Sequence, residues 1–144
     1  MDNEKLNKFI RLLKITPIMR QVFDLGLIVK EPESKISSTE ILEEIKKIVG
    51  IEKITYDKSA TDEDVIENFI NIFKKNKWAF LEIKKDIGSS LLNQLKHLAN
   101  RNSFQLIDYQ GKDVFEMKMP EKSRLIIFAE RDFIENKITY PHFY

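Results

Sequence analysis

Apolar positions along this 144-residue chain alternate between strand-length runs and helical stripes. Leu6, Phe9, Ile10 and Leu13 fall at helical spacing. Thr16-Pro17 then supplies an N-cap and a first-turn proline for a second stripe of Ile18, Met19, Val22 and Phe23. Two short helices, or one kinked helix, are expected there. Leu25 to Val29 is a near-continuous apolar run, the pattern of a strand buried on both faces. A polar turn follows. Ser37 and Glu40 stand in capping-box register ahead of the stripe Ile41, Leu42, Ile45, Ile48 and Val49, with Gly50 as the expected stop.

The alternation continues. Glu52 to Tyr56 predicts a second strand, and Thr61-Asp62-Glu63-Asp64 caps a helix whose apolar face is Val65, Ile66, Phe69, Ile70 and Phe73. Trp78 to Ile83 is a third strand. Gly88-Ser89-Ser90 resembles the N-cap of a further helix marked by Leu91, Leu92, Leu95 and Leu98. Strands and helices in strict turn predict a parallel sheet with covering helices, an α/β fold. Phe104 to Tyr109 and Asp113 to Met119 then predict a β-hairpin about Gln110-Gly111-Lys112, and Ser123 to Ala129 a last apolar strand. Neither a repeat nor a linker divides the chain. The expected organisation is one domain, with helices over residues 1–24 packed on an α/β core over residues 25–144.

Composition narrows the chemistry. There is no cysteine, so disulfides and thiolate metal sites are excluded. The 24 basic and 23 acidic residues leave a net charge of +1, which gives no global pull toward nucleic acid or an anionic membrane; either would need a local patch. Lys74-Lys75-Asn76-Lys77 and Lys84-Lys85 flank the Trp78 strand and are candidates for one, although lysines there are usually solvated strand ends. The N-terminus lacks the continuous apolar region of a signal peptide, and a cytoplasmic location, or a nuclear one, is the expectation. His97 and His142 stand far apart, without a ligand cluster.

The turn after the first strand lies where a phosphate-binding loop would sit. Laid on G-x-x-x-x-G-K-S/T, the window from Lys30 to Ser37 has Lys30 and Lys35 at the glycine positions and Ile36 at the lysine position. Only the hydroxyl remains, Ser37 backed by Ser38. A loop that wraps a triphosphate with consecutive backbone N–H groups needs glycine conformations and an ammonium on the phosphates. Capping-box spacing alone also accounts for the two serines.

From about Leu25 to Ala129 the order of elements resembles the core of a P-loop NTPase of the AAA+ class, particularly its dynein- and midasin-like branch. Lys77-Trp78-Ala79-Phe80-Leu81-Glu82-Ile83 is similar to a Walker B strand, and Arg124-Leu125-Ile126-Ile127-Phe128-Ala129-Glu130 to a sensor-one strand. The resemblance implies a mainly parallel sheet with the Leu25 strand beside the Arg124 strand, helices on both faces, and a core lacking the final strand and lid. It puts Glu82 at the place of the metal-coordinating acid, Ile83 at that of the acid that polarises water, and Glu130 near the γ-phosphate sensor. Lys35, Ser37, Ser38 and Glu82 are the candidate cofactor-binding residues, as vestiges of that site. The expectation is a catalytically inactive P-loop-NTPase-like domain acting as a structural, adaptor or regulatory protein-binding module. It has no resident cofactor or metal, binds nucleotide weakly or not at all, and meets a protein partner or larger assembly. One alternative is a nucleotide-binding AAA+-type domain or fragment of a larger remodelling ATPase; another is an unrelated α/β interaction domain.

Overall fold

The computed structural model describes residues 25–30, 37–101, 103–107, 114–118, 120 and 122–134. The expected N-terminal helices, the hairpin tip with Gly111, Lys35 and His142 lie outside the described residues. Strand β1 (Leu25–Lys30) leads to helix α1 (Ser38–Lys46), β2 (Ile51–Tyr56), α2 (Asp62–Lys74), β3 (Trp78–Ile83) and α3 (Ser89–Arg101). An antiparallel pair, β4 (Ser103–Ile107) and β5 (Val114–Lys118), precedes β6 (Leu125–Glu130) and the short α4 (Arg131–Ile134). The main sheet has four strands in the order β1-β6-β3-β2, all parallel. The fold is therefore α/β, and the Leu25 strand does lie beside the last apolar strand, with Leu27 level with Ile127.

The period-two alternation of each strand sends its side chains to two separate apolar layers. On one face, Ile41, Leu42 and Ile45 of α1 pack on Ile51, Trp78, Phe80, Ile126 and Phe128. On the other, Val65, Phe69, Ile72 and Phe73 of α2 and Leu91, Leu95 and Leu98 of α3 cover Ile54, Tyr56, Leu81, Ile83 and Ile127. Helices thus cover both faces. β3 lies between neighbours, and all six of its residues are buried, which is why it reads as an unbroken apolar run interrupted only by Glu82.

Three local expectations are corrected. Helix α1 ends at Lys46 rather than at Gly50, because the Ile45 carbonyl accepts from the N–H groups of both Ile48 and Val49 and closes the last turn without a left-handed glycine. Ile48 and Val49 consequently lie past the helix, half-buried. The left-handed cap belongs instead to Asn76 (φ 56°) after α2, where Asn76 N–H donates to Phe73 O and Lys77 N–H to Ile72 O, the paired bonds of a Schellman motif. The cap of α3 does not come from its own serines: Asp62, the first residue of α2, accepts from Leu91 N–H at 2.9 Å. Ser89 and Ser90 stay exposed.

Candidate functional site

In an open parallel sheet the usual binding crevice lies beyond the carboxyl ends of the strands, where neighbouring strands send their helices to opposite faces. Here that point is between β1 and β6. β1 is followed by α1 on one face, and β6 by α4, whose Phe133 packs on the other layer. The two strands end on register partners, Lys30 and Glu130, which form an ion pair at 4.0 Å across the crevice.

Glu82 lies one strand further in, on the α1 face, and is 7 % exposed. A carboxylate so placed needs partners. The Ser38 hydroxyl at the start of α1 hydrogen-bonds to it. Its Oε1 is 3.2 Å from Lys53 Nζ and 3.5 Å from Lys84 Nζ, ion-pair contacts that are not aligned as hydrogen bonds. Register explains the convergence: Thr55 stands level with Glu82, so Lys53 extends along the same face from two residues earlier, while Lys84 follows Glu82 by two, just past the end of β3. Burial pushes the Glu82 carboxyl up, the largest single influence. The Ser38 hydroxyl, the close Lys53 ammonium and the charges of Lys53 and Lys84 together outweigh it, holding the group below its ordinary 4.5 and hence ionised at neutral pH.

The sequence candidates therefore separate. Ser38 and Glu82 are brought together. Ser37 is not part of the pair: it is exposed and accepts from Glu40 N–H at 3.1 Å as the N-cap of α1. Ile83 points into the opposite layer at 1 % exposure, so no acid or base stands next to Glu82 on that strand. Lys53 is not among the sequence candidates, and Lys84 is one only for a basic patch, not as a partner of Glu82. The available signal was the two-residue period, which puts Lys84 on the face of Glu82; Lys53 gives no such signal until its strand is paired.

On the other face of the same sheet end, the Tyr56 hydroxyl donates to Asp62 Oδ1 at 2.6 Å and accepts from Gly88 N–H at 2.9 Å. Lys85 Nζ lies 4.5 Å from the Tyr56 ring centroid and donates to Ala60 O at 2.7 Å. Burial, then the hydrogen bond to Asp62, pushes the Tyr56 phenol up, so it stays protonated and cannot act as a base near neutrality. The cluster joins α2, α3 and β2. His97 is half-buried on α3. Among the described residues no group of three or more His, Cys, Asp or Glu side chains could hold a metal ion, and no helix is long and apolar enough to cross a membrane.

The chain matches no known family model and no curated protein.

Proposed function

We propose that this chain is a P-loop-NTPase-like domain whose nucleotide end is closed by its own charged side chains, and that it works as a structural, adaptor or regulatory protein-binding module. The observation that carries the reading is Glu82. Its carboxylate already has a hydroxyl from Ser38 and two ammonium groups, from Lys53 and Lys84, where a metal-bound nucleotide would require it free. The strand order β1-β6-β3-β2 supports the same reading, as does the seryl start of α1 directly above the Glu82 strand. Lys30 and Glu130 add a second internal pair at the crevice, and a carboxylate there repels phosphate.

Hydrolysis would in addition need a group to orient and deprotonate water. Ile83 supplies none. Isothermal titration with ATP and magnesium tests the proposal. The expected result is no heat of binding, or a constant no tighter than about millimolar, roughly −4 kcal/mol. A micromolar constant would place the nucleotide-holding AAA+-type reading first, and phosphate release above background would end the inactive one.

A further inference from the structure

The two basic runs that flank β3 in sequence lie at opposite ends of it, roughly 20 Å apart for a six-residue strand. Lys84 and Lys85 belong to the carboxyl end already described. Lys74, Lys75 and Lys77 lie at the amino end, and there the fold adds lysines from elsewhere. Lys46 and Lys47 close α1 just before Gly50, whose carbonyl accepts from Trp78 N–H at 2.9 Å. Lys122 is fixed by its own carbonyl, which accepts from the Trp78 indole N–H at 2.9 Å. Six exposed lysines from three separate segments thus surround the start of β3. Among the described residues, the acids paired with them are Glu43 and Glu44 on α1 and Glu52 on β2, three against six lysines, on a chain whose net charge is only +1.

We propose that this amino-end face binds the phosphodiester backbone of nucleic acid, by charge and without reading bases. Lysines at helix carboxyl ends complement the helix dipole, which accounts for Lys46 and Lys74 singly but not for the convergence with Lys77 and Lys122. The pairs Lys46–Glu43 at 3.5 Å, Lys47–Glu44 at 2.9 Å and Lys75–Glu52 at 2.7 Å join exposed or half-exposed side chains. Such pairs contribute little and exchange readily for phosphate. The aromatic of this face, Trp78, is 4 % exposed, so it offers no stacking surface to a base. The surface presents flexible point charges and no base-reading fork, which suits backbone contact alone.

The test is fluorescence anisotropy of a labelled DNA duplex of about 20 base pairs, titrated with the protein between about 25 and 200 mM salt. Binding is expected in the non-specific range, and the logarithm of its constant should fall against log salt with a slope of about −2.7, for three net charges. The double reversal Lys77→Glu with Lys122→Glu should weaken binding by about tenfold or more, while Lys58→Glu with Lys96→Glu, the same charge change away from this face, should stay within about twofold. Circular dichroism establishes that each variant is folded. Absence of binding at the lowest salt, or equal losses from both double variants, overturns the proposal. So does tighter binding of polyglutamate than of duplex at matched charge, which would assign the face to an acidic protein segment.

Discussion

Asp62 is expected to be the most sensitive polar residue of the described structure, and the geometry sets the size of the effect. Its carboxylate satisfies two groups at once: Leu91 N–H in the first turn of α3 at 2.9 Å, and the Tyr56 hydroxyl at 2.6 Å. Asp62→Ala removes a helix cap, worth about 0.5–2 kcal/mol. It also leaves a part-buried phenol donor without its acceptor, at about 1–3 kcal/mol. A total loss of about 1.5–5 kcal/mol follows from those two ranges taken together. Gly88 makes the reasoning sharper, because a Cβ there would collide with the same carboxylate. Gly88→Ala should therefore be costly in the native background and cheap once Asp62 is alanine.

The assay is urea denaturation followed through Trp78, the sole tryptophan. The double mutant should be less destabilised than the sum of the singles by about 1–3 kcal/mol, the coupling expected of groups in contact. Tyr56→Phe should cost about 1–2 kcal/mol, since it keeps the packing and removes only the hydroxyl. Additivity of Asp62→Ala and Gly88→Ala to within about 0.3 kcal/mol would refute the account, as would an Asp62→Ala cost below about 0.5 kcal/mol.

Other outcomes are expected in the same assay. Phe69→Ala and Leu81→Ala, both at 0 % exposure, should each cost about 2–5 kcal/mol, and a negligible shift in midpoint at either position would mean that its layer is misplaced. Lys53→Met should cost about 1–2 kcal/mol, less than breaking a fully buried pair because Lys84 and solvent remain near Glu82. Adding Glu82→Leu should recover most of that loss, since an apolar replacement of the pair leaves no charge behind. Because the folded Glu82 pKa lies below its ordinary 4.5, its contribution is fully present above that value and is lost as pH falls through the folded one. An acid titration of stability should show that loss, and Lys53→Met should make it smaller, because raising the folded pKa toward 4.5 narrows the window over which it occurs; an undiminished loss would remove Lys53 from the account.

Most of the architecture was legible because it rests on periodicity. The fully buried run from Trp78 to Ile83, the stripe on α2 with its Thr61 cap, and the parallel alternation all follow from which positions must leave water. What stayed hidden depends on contacts distant in sequence. The Asp62 cap on α3 spans 29 residues, and no local spacing reveals it. Lys53 becomes visible as a partner of Glu82 only once the β2–β3 register is fixed. Ser37 and Ser38 are adjacent and equally suited to a cap or a ligand on paper; their different positions at the helix entry decide which hydroxyl faces solvent and which faces Glu82.

One topological fact then orders the charges of the whole sheet. Parallel strands require the crossing helices α1 and α2 to run the opposite way, so helix N-termini meet strand carboxyl ends. Acid residues follow the N-termini, as Glu40 and Asp62 to Asp64 do, and lysines follow the C-termini, as Lys46 and Lys74 do. A net charge of +1 is thus compatible with strongly different ends. At the carboxyl end the excess is consumed internally, with Lys30, Lys53 and Lys84 committed to Glu130 and Glu82. At the amino end, among the described residues, six lysines meet three glutamates, and the excess faces water. Charge that a ligand could use is therefore found at the end opposite the crevice. The consequence is directional: neutralising Glu82 together with Lys53 should leave duplex binding unchanged, because that pair contributes no net charge and lies at the far end of the strands. A loss of binding in that variant, with folding intact, would show that the two ends are not independent.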